Sequence, residues 1–155
     1  MSETYCTYKT AFGNVVIASD GNAISAVQFE KTANRHGKKA ASALTDKAAQ
    51  QLEEYFCGKR KRFDLPLNPC GTAFQQSVWK ALQSIPYGQT RSYKQVAELL
   101  GKPNASRAVG LANSKNPIWI IIPCHRVIGS NGALVGYAGG LKTKQKLLEL
   151  EKDFS

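Results

Sequence analysis

The chain has 155 residues, 43% of them hydrophobic, and carries 21 lysines and arginines against 11 acids, a formal charge of +10. That suffices for one ordinary domain or two small ones with a buried core, and no run approaches the ~20 apolar residues that a membrane span requires. The start "MSETYCTYKT" lacks an apolar signal core, and cysteines 6, 57, 70 and 124 show no CxxC spacing, so they read as free thiols of a cytoplasmic protein. The basic excess is uneven: residues 1–79 hold 10 basic and 7 acidic side chains, residues 80–150 hold 10 basic and 2 acidic. The second half therefore suits a polyanion, nucleic acid first among them.

In chain order, "TYCTYKT" and "NVVIAS" are short strand candidates, and "SDGNAISAVQF" supplies an Asp-Gly hairpin signal followed by alternating residues. A helix is predicted over about Asp46 to Phe56, with Ala48, Leu52, Tyr55 and Phe56 on one face and Gly58 as the stop. "KRKRFDLPLNPCG" then breaks periodicity and marks a linker near 62–71, which divides the chain into parts of 1–66 and 70–155.

Thr72 with Gln75 and Ser92 with Gln95 have capping-box spacing, each opening a predicted helix. Gly101 and Pro103 stop the second of these, and "ASRAVGLANS" follows as a third helix with Asn104 in position to cap it. Two short helices about a tight glycine turn, in a basic context, form a helix-turn-helix pattern. Ala105, Ala108, Gly110 and Ala112 leave the last helix small enough for close backbone approach or tight helix packing, and Arg107 projects from it.

"NPIWIIIPCHRVIG" runs five apolar residues, Ile118 to Ile122, into Pro123, Cys124 and His125, and reads as a core strand with a cysteine at its end. A thiol titrates near 8.5, so a reactive cysteine needs an adjacent base or cation. His125 is next in the chain, yet strand neighbours point to opposite faces, so direct contact is not assured and a bridging water could relay the proton. Acids after residue 80 are only Glu98, Glu149, Glu151 and Asp153, so a carboxylate orienting the imidazole would come from the last helix. By spacing alone Cys124 is either a nucleophile or an inert buried thiol.

"IPCHRV" at 122–127, with "NP" at 116–117 and "GYAGGL" at 136–141, closely resembles the active-site segment of the O6-alkylguanine-DNA alkyltransferases, the methylated-DNA–protein-cysteine methyltransferases. The resemblance runs upstream through "GTAFQQSVWKAL", "IPYGQTRSYKQVA" and "ASRAVGLA", covering residues 70–151 densely and the first 65 more loosely. It implies an α/β (α+β) protein: a small ribonuclease-H-like N-terminal domain, then a winged helix-turn-helix-like C-terminal domain. It also implies cofactor-free repair of double-stranded DNA by a monomer, entered through the minor groove. A flipped O6-alkylguanine, or O4-alkylthymine, would lose its alkyl group irreversibly to a cysteine, once per molecule.

Carried over by position, Cys124 is the acceptor, His125 its base through a water, Glu151 the group polarising His125, and Asn116 the turn-stabilising asparagine. Tyr93 would help rotate the nucleotide and hydrogen-bond the leaving base. Arg107 would fill the stack, with Ala105, Ala108, Gly110 and Ser92 beside the DNA. Tyr137, Ala138 and Gly139 would line the base pocket, and Arg126 would support the site. Trp119 departs from the family pattern and is expected at the pocket, where it would narrow the range of bulky alkyl groups or stack on the base; Ala138 replaces a serine found in some members. Cys6, His36 and Cys57 lack zinc-ligand spacing. The alternative is a helix-turn-helix or damage-sensing protein without chemistry; such sensors lack the reactive cysteine that this chain keeps.

Overall fold

The structure, a computed structural model, describes residues 3–33, 37–132, 137 and 140–155. It divides into two compact units, one of residues 1–70 with 117–121, the other of residues 71–116 with 122–155. The linker read near 62–71 ends at the first of these boundaries. The boundary falls at 70/71, and a second stretch, Pro117–Ile121, belongs to the first unit.

In the first unit, β1 (Thr4–Thr10), β2 (Gly13–Ser19) and β3 (Ile24–Phe29) form an antiparallel meander, and the short β4 (Lys38–Lys39) adds parallel to β1, giving the order β3-β2-β1-β4. The Asp-Gly signal is a real turn: Asp20 Oδ1 accepts from the Asn22 and Ala23 N–H groups at 2.9 Å each, joining β2 to β3. β2 is the inner strand and is buried from Val15 to Ser19 on both faces, so its side chains run apolar without alternation. Helix α1 (Ala43–Phe56) packs on β1 and β2 through Thr45, Ala48, Leu52, Tyr55 and Phe56. It begins three residues earlier than its apolar stripe suggested, because Ser42 and Thr45 form a capping box.

The outer edge of β3 is covered by two short segments. Ile24 exchanges backbone bonds with Pro66 and Asn68 at 2.8 Å each, and Val27 does so with Pro117 and Trp119 at 2.9 Å each. Backbone groups that would otherwise template another strand are thus satisfied.

In the second unit, α2 (Ala73–Leu82) and α3 (Tyr93–Leu99) both start at the capping boxes read from the sequence, Thr72 with Gln75 and Ser92 with Gln95. α3 ends in a Schellman motif, with Gly101 N–H on Glu98 O at 3.0 Å and Lys102 N–H on Ala97 O at 2.9 Å. That geometry needs the positive φ of 73° that glycine at 101 supplies. α4 (Ser106–Ser114) packs against α2 and α3, and the Trp79 indole N–H donates to Ala112 O at 2.9 Å. Asn104 does not cap α4. Residues 102–105 close a turn, Ala105 N–H to Lys102 O at 2.9 Å, which places Ala105 at the N-cap without a side-chain bond.

A one-turn 3-10 helix over Cys124–Arg126, a two-strand pair of β5 (Arg91–Ser92) with β6 (Val127–Ile128), and α5 (Leu141–Phe154) complete the unit. The apolar run before Cys124 is not a strand. Ile118 makes a single bridge to Val27, and Ile121 N–H turns back onto Trp119 O at 2.8 Å around Ile120, whose φ is +74°. A β-branched residue in that region is strained, at a cost of about 1–3 kcal/mol that the surrounding packing must overcome. Cys124 N–H closes a second tight turn on Ile122 O at 2.8 Å around Pro123.

Candidate active site

Cys124, His125 and Arg126 share one 3-10 turn and are all buried, at 3%, 0% and 7% exposure. Successive residues of such a turn point about 120° apart, so Cys124 and His125 still diverge, as the strand reading also implied.

Glu151, on the buried face of α5, ties the turn together. Its Oε2 lies 2.6 Å from His125 Nε2 and accepts from Arg126 Nη2 at 3.0 Å, while Oε1 accepts from Arg126 Nε at 2.8 Å and from Gly88 N–H at 3.0 Å. Arg126 further donates from Nη1 to Ile85 O at 2.7 Å. Burial alone would raise the Glu151 pKa, but the His125 and Arg126 hydrogen bonds and charges outweigh it and bring it down to about 2. Glu151 is therefore a carboxylate at neutral pH. Burial lowers the His125 pKa against the opposing pull of Glu151, leaving a neutral imidazole. The carboxylate fixes the tautomer: Nε2 carries the hydrogen, and Nδ1 is the basic nitrogen.

Asn116 is 2% exposed and donates from Nδ2 to Ile122 O at 2.9 Å, pinning the backbone two residues before Cys124. Asn113, on α4, donates to the Cys124 carbonyl at 3.3 Å. Lys144 is fully buried with Nζ on Val127 O at 2.6 Å; burial lowers its pKa to about 8, although a negative charge at Cys124 pulls the other way. Tyr93 and Tyr137 hydroxyls are both raised, first by burial and then by the Cys124 charge.

The remaining expectations fall as follows. Arg107 is exposed on α4, beside exposed Ala108 and Leu111, the latter at 64% exposure. Ala112 is buried against α2, and Gly110 faces the Tyr93 ring, where an added Cβ would make ordinary contact at 3.7 Å. So part of the small-residue character serves helix packing. Ala105 is half-buried at the helix start, and Ser92 uses its hydroxyl to cap α3. Trp119 belongs to the first unit, 4% exposed and 5.7 Å from the Phe29 ring, so it is packed in that unit's core. Ala138, Gly139 and His36 lie outside the described residues.

Sequence reasoning missed Asn113 and Lys144. The signal was a polar residue set in an apolar stripe: Asn113 follows Val109 and Ala112, and Lys144 precedes Leu147 and Glu151, both at helical spacing.

Family models match both units: the ribonuclease-like domain of 6-O-methylguanine DNA methyltransferase over residues 4–69, and the DNA binding domain over 73–153. A methylated-DNA–protein-cysteine methyltransferase of Methanosarcina acetivorans is 48% identical over 95% of this chain and 97% of its own. One from Mycobacterium leprae is 50% identical over 90% and 87%. The crystal structure of Mycobacterium tuberculosis OGT in complex with DNA superposes with a TM-score of 0.92 at 45% identity, covering 98% of this chain and 94% of that one. With both domain models filled in order and relatives matched nearly end to end, the chain belongs to the methylated-DNA–protein-cysteine methyltransferase family of enzymes.

Proposed function

We propose that this protein repairs O6-alkylguanine in double-stranded DNA by moving the alkyl group onto Cys124, once per molecule and irreversibly. The observation that carries the reading is the buried Cys124–His125 turn with Glu151 holding the imidazole at 2.6 Å, inside a domain matched as DNA-binding.

The steps follow from the groups present. His125 Nδ1, made available by the Nε2–Glu151 bond, takes the Cys124 proton through a water. The thiolate attacks the alkyl carbon in line; the S–C bond forms as the C–O6 bond breaks, and the electron pair leaves on guanine. A hydrogen bond from the Tyr93 hydroxyl stabilises the leaving purine, which takes its N1 proton from water while the His125 imidazolium returns one to water. Nothing in this sequence breaks the resulting thioether, so the acceptor is consumed.

Flipping the nucleotide costs a few kcal/mol, least where alkylation has weakened pairing. Arg107, with Ala105, Ala108, Gly110 and Ser92 on or near α4, would occupy the vacated stack and the minor groove. Tyr137, Ala138 and Gly139 would line the base pocket. The basic second half supplies sequence-independent phosphate attraction. The same pocket chemistry would serve O4-alkylthymine, and the protein would act as a cytoplasmic monomer.

The test is intact-protein mass after mixing with excess O6-methylguanine duplex. One added methyl per molecule, mapped to Cys124, is expected; DNA bound with no mass change would leave a damage sensor. Arg107→Ala is expected to slow repair of duplex DNA by on the order of tenfold or more while leaving reaction with free O6-benzylguanine near wild type, since only the duplex requires an extruded base. Equal losses on both substrates would refute that role.

A further inference from the structure

The outer face of α4 is a single stripe. Arg107, Ala108, Leu111, Ser114 and Lys115 are exposed along it, while Val109, Ala112 and Asn113 turn inward. Their spacing of i, i+1, i+4, i+7 and i+8 is that of one helical face. A cation stands at each end, the helix holds no acid, and Leu111 stands in the middle at 64% exposure. Lone exposed leucines are ordinary on a protein surface. One framed by an arginine and a lysine on an acid-free face suits a polyanion that is apolar between its charges.

The minor groove of DNA has that make-up, with two phosphate ridges flanking a floor of base edges and sugars. It is about 6 Å wide in B-form, and a helix with its side chains is about 10 Å across. α4 can therefore enter only by its outer stripe, and entry presses that stripe's largest apolar side chain onto the floor. Arg107 and Leu111 are one turn apart, about 6 Å along the axis, and base pairs stack about 3.4 Å apart. A helix lying along the groove thus sets Leu111 about two base pairs from the gap that Arg107 fills.

Base pairs differ there in one group. A·T and G·C both present acceptors, and G·C adds the guanine 2-amino donor, which projects from the floor. A leucine offers no acceptor, so seating it over that amino group strips a donor of water without replacement. On the reading that α4 enters the minor groove beside the flipped nucleotide, we infer that Leu111 reads a base pair flanking the lesion and makes repair faster where that pair is A·T than where it is G·C. Leu111 is a specificity-determining residue for the sequence around the lesion, not for the damaged base.

The test is single-turnover methyl transfer, with protein below saturation, from O6-methylguanine duplexes that differ in one pair. That pair lies one, two or three steps from the lesion on either side and is A·T, G·C or hypoxanthine·C, the last being G·C without its 2-amino group. The full-length wild type is compared with Leu111→Ala, which shortens the contact, and Leu111→Asn, which supplies an acceptor. Rates are read as ratios within each protein, so a general loss of affinity cancels. At one position or more, the wild type is expected to repair the A·T and hypoxanthine·C duplexes alike and the G·C duplex about fivefold more slowly. Leu111→Ala is expected to bring that penalty within about twofold, and Leu111→Asn to abolish it. Wild-type rates that ignore the pair at every position overturn the inference. So does a penalty that persists in Leu111→Ala, since the strength of G·C pairing then accounts for it.

Two controls keep the failures apart. Leu111→Asp sets a carboxylate between the phosphates and is expected to weaken duplex binding by about tenfold; undiminished affinity overturns the placement of α4 in the groove. Wild-type protein that transfers methyl from none of the duplexes overturns the reading of Cys124.

Discussion

Cys124→Ser is expected to abolish alkyl transfer while leaving affinity for duplex DNA within about twofold. A serine hydroxyl fits where the thiol was, with no added volume to disturb a site that is 3% exposed. What it lacks is an accessible anion: a thiol yields a few per cent thiolate at neutral pH even unperturbed and is a soft nucleophile at carbon, whereas an alcohol offers neither property. Removing a nucleophile from a concerted site costs on the order of 10⁴-fold or more in rate. Binding rests instead on the basic surface of the second unit and should be compared at one salt concentration. Radiolabelled methyl transfer and gel-shift titration on the same preparation separate the two quantities. Label persisting on the serine variant would move the acceptor to Cys6, Cys57 or Cys70, which peptide mapping identifies.

Glu151→Gln is expected to damage stability and chemistry together. The carboxylate is 1% exposed and receives bonds from His125, from two nitrogens of Arg126 and from the Gly88 N–H. An amide of the same shape keeps one acceptor, turns the other atom into a donor facing donors, and removes the charge opposite a buried guanidinium. Breaking one side of such a pair costs about 3–5 kcal/mol, because the surviving cation stays dehydrated. A fall in melting temperature on the order of 10 °C is the expected reading. Transfer should drop by about 10²-fold or more as the imidazole loses the group that fixes its tautomer.

The pH dependence gives an independent check. The Glu151 pKa falls from 4.5 unfolded to about 2 folded, so its contribution is complete above pH 4.5 and is lost as pH drops through about 2. The stability gap between wild type and Glu151→Gln should therefore be constant near neutrality and narrow between about pH 4.5 and pH 2. A gap that stays constant to pH 2 would mean that the ion pair does not form in solution.

Much of this arrangement was legible in the sequence because it is encoded locally. Capping boxes at Thr72 and Ser92 place their bonds within four residues, and glycines 58 and 101 end helices by their own backbone freedom. Cys124, His125 and Glu151 were grouped by resemblance, and a carboxylate of the last helix is indeed seen on His125. What failed was non-local. An apolar run with Ile120 at positive φ violates its own propensity, so no periodicity rule could present it as anything but a strand. Trp119 carries no sign in sequence that its partner is Phe29, ninety residues earlier. Asn104 lost its capping place to a turn closed by Ala105 and Lys102, a competition that residue preference alone does not decide.

The return of Pro117–Ile121 to the first unit has a consequence for how the protein comes to exist. A ribosome releases the chain from its amino end, and domains ordinarily fold in that order as they emerge. Here β3 cannot complete its outer edge until Pro117 and Trp119 have been made, by which point α2, α3 and α4 have already been synthesised. Synthesis must pass residue 119 before a sheet that starts at residue 4 can finish folding. The segment that delivers Cys124 to its turn is thus the stitch that makes two sequential halves mature as one.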